Sequence, residues 1–168
     1  MIYFFFDILL RLTARVFFRH IYVSNRKNVP YNKPVMLAAN HPGAFLDPVL
    51  LVSLLYKPIH YLVRGDVFKN PVARWIFTRF KMIPIFRIDE GFENIGRNAE
   101  TAKMVAEALK KNGIVLVFCE AYSARDRRLR KVRKGTARLC MQIASEYNLD
   151  LQLIATGISY SHKKNFRK

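Results

Sequence analysis

Residues 1–22, MIYFFFDILLRLTARVFFRHIY, are apolar except where Asp7, Arg11, Arg15 and Arg19 recur at four-residue steps. That spacing predicts one helix with a narrow ionic stripe, since side chains four apart share a face. SNRKNVPYNKP (24–34) follows as a turn-rich linker. Beyond it, short apolar runs alternate with helical periods. VMLAA (35–39), IHYLV (59–63), IVLVF (114–118) and LQLIATGI (151–158) predict buried strands. MIPIF (82–86) predicts a weaker one, because Pro84 cannot donate to a ladder. Residues 98–111 predict a helix with Ala102, Val105, Ala106 and Leu109 on one face, stopped by Gly113. Residues 136–147 predict another, with Leu139, Ile143 and Tyr147 inward. The alternation predicts an α/β fold: a central, mostly parallel or mixed sheet flanked by helices. Residues 1–24 would form an amphipathic helical unit and 25–168 the domain proper. Ligands of such sheets bind beyond the carboxyl ends of the strands.

Charge sharpens this picture. The 168 residues suit one domain and are half hydrophobic, yet carry 29 Lys and Arg against 12 Asp and Glu, a formal +17. Such a field draws polyanions: nucleic acid, an anionic membrane or phosphorylated small molecules. The longest uncharged stretch of the N-terminal segment is its first six residues, far short of the about 20 that span a bilayer. An interfacial helix lying in the membrane plane, arginines towards headgroups, fits better. The competing reading packs this helix on the protein's own core. RDRRLRKVRK (125–134) suits a solvated loop, a contact for anionic lipid or donor phosphates, or a nucleic-acid site. No aromatic lies between Tyr122 and Tyr147 for base stacking, which favours membrane over nucleic acid. The expected location is therefore membrane-associated and monotopic, on the cytoplasmic face, with anionic lipid as partner. Cys119 and Cys140 form no metal-ligand cluster and read as buried thiols.

Candidate chemistry gathers in AANHPGAFLDPVLL (38–51). VMLAA runs straight into Asn40-His41, so His41 falls at a strand's carboxyl end. Asp47-Pro48 reads as a helix start, with Asp47 as N-cap and Pro48 first in the helix. His41 reads either as a hydrogen-bonded loop residue or as a base whose tautomer a carboxylate fixes. Cys119 ends a strand, and nothing beside it marks a thiolate nucleophile. A hydroxyl to be activated would then belong to a substrate.

NHPGAFLDP (40–48) resembles the first motif of the glycerophospholipid acyltransferase family, which includes the lysophosphatidic acid acyltransferases. IPIFR (83–87) is similar to its second motif, VFCEAYSARDRRLRKVRKGTARL (117–139) to its third and LIATGISYS (153–161) to its fourth. The resemblance implies transfer of a fatty acyl group from a coenzyme A or acyl carrier protein thioester to a hydroxyl of a glycerol phosphate. It casts His41 as general base, Asp47 as its orienter, and Arg87, Glu120 and Ala121 at the acceptor's head group, with Arg87 on the phosphate. No metal or bound cofactor is implied. The chain departs from the motifs in places. Five residues stand between His41 and Asp47 where four are usual, with Gly43 available to absorb the extra one. Ala121 replaces a glycine, at a cost if the position needs positive φ. A non-catalytic basic membrane-binding protein is the rival reading. A different acceptor, glycerol-3-phosphate or a lyso-aminolipid, is the variant within the family. Relatives continue past the fourth motif, so an incomplete C-terminus is expected. LQLIATGI, expected to be buried on both faces, would then lack a covering layer.

Overall fold

The computed structural model describes residues 2–55, 57–86, 94–122 and 128–161. Along them run α1 (Ile2–Phe17), β1 (Val35–Ala39), α2 (Leu46–Leu54), β2 (Ile59–Arg64), α3 (Pro71–Arg79), β3 (Met82–Ile85), α4 (Asn94–Lys110), β4 (Ile114–Phe118), α5 (Lys134–Tyr147) and β5 (Gln152–Thr156). The strands form one sheet in the order β3-β2-β4-β1-β5, every pair parallel. Successive side chains of a strand point to opposite faces, and in β1 and β4 both faces are covered. Met36, Val115 and Val117 meet Val105, Leu109 and Ile143 of α4 and α5. Val35, Leu37, Ile114 and Leu116 meet Leu51 and Val52 of α2, with Leu10 and Phe18 against the same cluster. That double burial is why VMLAA and IVLVF are unbroken apolar runs.

The edge strands differ. Pro84 sits in β3 at one edge, where its missing N–H leaves no central ladder broken. At the opposite edge, in β5, Leu153 and Ala155 are exposed while Ile154 packs inward. Among the described residues β5 is therefore covered on one face and lacks a layer on the other. Residues 162–168, the end of the basic tail, lie outside the described residues.

α1 ends at Phe17, and its ionic stripe is placed differently from expectation. Arg11 pairs with Asp7 at 2.8 Å and donates to the carbonyls of Ser53 and Leu55 at 3.3 and 2.8 Å. Those carbonyls belong to the last turn of α2 and its C-cap, where helix carbonyls lack partners and attract a cation. At Arg11 the stripe thus faces the protein, and Phe5, Ile8, Leu12 and Val16 are left exposed. No helix among the described residues is long and apolar enough to cross a membrane.

Two helices begin where the periodicity was silent. Asn70 caps α3 by accepting from the amides of Val72 and Ala73, with Pro71 opening the helix. α4 starts at Asn94, earlier than expected. Asn98, the expected start, instead exchanges two hydrogen bonds with the backbone of Phe86, at 3.1 and 2.9 Å.

His60 on β2 supplies a pH test of this packing. Burial, then the nearby Lys81 charge, lowers its pKa to about 4 against a partly offsetting backbone bond to Ile114, and Lys111 lowers it further. Its Nδ1 is buried and has no hydrogen-bond partner among the described residues. The unfolded chain takes up this proton near the ordinary value of 6.5, and the folded chain only about 4. Stability should therefore be lost as pH falls through that window. Chemical denaturation from pH 7 to 4 should show a shallower loss in His60→Gln than in wild type.

Candidate active site

The segments that follow two strands of the sheet, β1 and β5, meet at one side chain. Asp47 is fully buried, and a carboxylate so placed demands hydrogen-bond donors. Its Oδ2 accepts from His41 Nδ1 at 2.7 Å and from the Gly43 amide at 2.8 Å. Its Oδ1 accepts from the Tyr160 hydroxyl at 2.6 Å. His41 and Gly43 come from the loop after β1, Asp47 from α2, and Tyr160 from the segment after β5. The expectation that Asp47 caps α2 is overturned. The N-cap position is Phe45, which makes no side-chain cap bond. Asp47 lies inside the first turn, its carboxylate engaged by the donors around His41.

Within the five-residue spacer of the first motif, Ala44 adopts a left-handed φ of 52°. Leu46 and Asp47 donate back to the carbonyls of Gly43 and Ala44, closing the turn. Gly43, where the slack was expected, serves a different purpose. A Cβ there would lie 2.5 Å from Asp47 Oδ1 and 2.6 Å from Tyr160 Cε2. Only a residue without a side chain fits beneath that hydrogen bond.

Two residues that sequence reasoning passed over complete the support. Asn40 accepts from the Ile158 amide at 2.6 Å and donates to its carbonyl at 2.9 Å, fastening the chain after β5 to the end of β1. Tyr160 lies in LIATGISYS, the stretch similar to the fourth motif, but that resemblance gave it no role. Burial first, then the bond to Asp47, holds its phenol far above the usual range, so it remains a donor. The tyrosine ring stacks on Phe18, at 5.8 Å.

With Nδ1 donating to Asp47, the Nε2 lone pair of His41 is left to act as acceptor. The imidazole lies flat on Phe118, centroids 3.8 Å apart, and borders a cavity of about 1510 Å³. Leu10, Val49, Ile76, Phe77 and Phe80 give the cavity an apolar wall, and Lys131, Arg133, Lys134 and Arg138 a cationic one. The cationic wall is tied to the end of β4. The Arg133 amide donates to the Cys119 carbonyl at 2.9 Å, and the Arg130 amide to Glu120 Oε1 at 3.4 Å.

Glu120 is buried in that bracing position. Ala121 lines the cavity with φ 62°, the left-handed conformation that favours glycine. Burial pushes the Cys119 thiol up, consistent with a packing residue; both cysteines are free and buried. Arg87 and Ser123–Asp126, with Arg127, lie outside the described residues; Phe86, just before Arg87, lines the cavity. His41 and Ala121 thus line one cavity, with Asp47 buried behind His41 and Glu120 also outside the lining.

The acyltransferase family model matches residues 20–159. Over 97 residues, 57% of this chain and 45% of the relative, the sequence is 32% identical to the 1-acyl-sn-glycerol-3-phosphate acyltransferase of Bacillus subtilis (strain 168). The fold is similar to the crystal structure of the 1-acyl-sn-glycerophosphate (LPA) acyltransferase PlsC from Thermotoga maritima. That superposition has a TM-score of 0.59 at 15% identity and covers 89% of this chain and 56% of that one. The chain spans about half the length of these relatives.

Two substitutions test the local geometry. Tyr160→Phe leaves a buried carboxylate oxygen without a donor and should lower the unfolding free energy by about 1–3 kcal/mol. Ala121→Gly relieves the left-handed backbone and should raise it by about 0.5–1 kcal/mol. Urea titrations of the two variants read both signs.

Proposed function

The chain belongs to the acyltransferase family, and we propose that it moves a fatty acyl group from an acyl-CoA or acyl-ACP thioester to a hydroxyl of lysophosphatidic acid or a related glycerol phosphate. The observation that carries this reading is the His41–Asp47 pair at the edge of a cavity with one apolar and one cationic wall. Such a cavity suits a substrate with a hydrocarbon chain and a phosphate.

In the proposed reaction, His41 Nε2 takes the proton of the acceptor hydroxyl as its oxygen attacks the thioester carbonyl carbon. The tetrahedral adduct collapses with cleavage of the carbon–sulfur bond. The imidazolium returns its proton to the departing thiolate, and an ester and a free thiol leave. Asp47 keeps Nδ1 protonated and stabilises the charged ring. The Phe118 ring holds the imidazole plane. Lys131, Arg133 and Lys134 supply cations for phosphate oxygens, and Arg87 is proposed as the acceptor's phosphate ligand because guanidinium binds phosphate bidentately. Glu120 serves by holding the cationic segment. The protein is proposed to work on a membrane surface without crossing it, the exposed apolar side of α1 buried among lipids and the +17 charge drawn to anionic headgroups.

An acyl-transfer assay with both donor types over a panel of lyso-acceptors tests this. Wild type should acylate a phosphate-bearing acceptor, and His41→Ala should lose about 10²- to 10⁴-fold in turnover with an unchanged circular dichroism spectrum. Near-normal turnover in His41→Ala would remove it as the base. A wild type that binds vesicles but acylates nothing would favour the non-catalytic membrane-binding reading.

A further inference from the structure

The helix α3 carries an exposed apolar face of which only Ile76 takes part in the cavity described above. Val72, Trp75, Ile76 and Arg79 recur at three- and four-residue steps, on one side of the helix. Val72 is 64% exposed and Trp75 59%, and Ile76 is also exposed. On the site loop, Phe45 is 75% exposed. Of these, Phe45 and Ile76 line the cavity that holds His41, as do Val67 and, on α1, Leu9, while Val72 and Trp75 lie outside it on the same side of α3 as Ile76. Large apolar side chains gathered at one place on a surface mark an interaction site. Here the exposed face of α3 is joined to the proposed acyl-transfer cavity through Ile76.

The chemistry of the rim selects its occupant. The Arg79 guanidinium lies 5.6 Å from the centroid of the Trp75 ring, and Arg74 is exposed on the same short helix. Tryptophan favours the interface between hydrocarbon and water. Arginine lays its stem along apolar surface while its head reaches phosphate. Basic residues near an anionic leaflet are attracted to it. A protein partner matched to this face would need acidic groups spaced for Arg74 and Arg79, whereas an anionic bilayer offers them at any spacing.

We propose that α3, with Phe45 of the site loop, is a second bilayer-contacting element that seats the cavity entrance on an anionic phospholipid surface. The inference rests on the lipid acyltransferase reading given above and adds a place of contact separate from α1. Seated in this way, the cavity opens into the bilayer, so a lipid acceptor reaches His41 without its chain crossing water.

Trp75 is the one tryptophan of the chain, so its fluorescence reports on α3 alone. The full chain is mixed with vesicles of phosphatidylcholine and phosphatidylglycerol, with and without acyl-brominated lipid, and the same samples are floated on a density gradient. The protein should float, and Trp75 emission should shift to shorter wavelength and be quenched by the bromines. Flotation with emission unchanged from buffer would overturn the role of α3 while leaving membrane association through α1 intact. Failure to float would overturn both. Emission already blue-shifted without lipid, together with a dimer mass by light scattering, would mean that a second copy covers this face, and would also overturn it. Val72→Ser/Trp75→Ser, at positions outside the cavity, should lower vesicle affinity by about tenfold or more. It should slow transfer to an acceptor in vesicles and leave transfer to a soluble short-chain acceptor unchanged. An equal loss on both acceptors would place the role of α3 inside the protein and overturn the proposal.

Discussion

A fully buried carboxylate must be surrounded by donors, and the site of this protein is organised by that requirement at Asp47. The donors come from segments far apart in the chain: the His41 ring and Gly43 amide from the loop after β1, and the Tyr160 hydroxyl from beyond β5. One side chain therefore joins the first strand to the last. Asn40 makes the same connection through the backbone of Ile158. The small size of Gly43 belongs to this arrangement, since a methyl group there would displace either the carboxylate or the tyrosine. The carboxylate also settles which nitrogen of His41 is protonated, and so which one is free to accept a proton.

The parallel sheet makes this convergence possible. With β1, β4 and β5 adjacent and running in the same direction, their carboxyl ends deliver His41, Glu120 and Tyr160 to one region. The helix that carries Asp47 is held from its other end. Arg11 of α1 satisfies carbonyls at the carboxyl end of α2, and Phe18 stacks on Tyr160. The N-terminal segment thus contributes to the alignment of the site as well as offering an apolar surface. This double duty accounts for its ionic stripe, in which Arg11 and Asp7 turn inward. The cationic wall is placed by the same economy of contacts: two amides of the basic run bond to Cys119 and Glu120 just beyond β4.

What was legible in the sequence follows from burial. β1 and β4 are covered on both faces and read as unbroken apolar runs, and α4 showed its inward face at Ala102, Val105, Ala106 and Leu109 because one side of it meets the sheet. His41 and Asp47 stood out because polar residues between apolar runs are rare, and the motif spacing named them together. β5 reads as an apolar run like β1 and β4, yet Leu153 and Ala155 lie outward and uncovered among the described residues, because composition records apolar side chains and not the layer that meets them. α3 escaped notice because its apolar positions face outward, although Asn70-Pro71 is a ready helix start.

The sequence by itself determined the α/β alternation, the two-sided burial of the central strands and the pairing of a histidine with an acid at a strand end. Each of these is written in local periodicity or in spacing within one loop. Only the tertiary structure decided that Tyr160 is the third partner of that pair. It alone gave Ala44 its left-handed backbone and Gly43 the task of making room for a hydrogen bond. It alone turned Arg11 to the end of α2, and set Lys131 and Arg133 along the cavity that His41 borders. Those outcomes depend on contacts between segments as distant as Asp47 and Tyr160, and a pattern of neighbours along the chain carries no record of which distant donor a buried carboxylate will find.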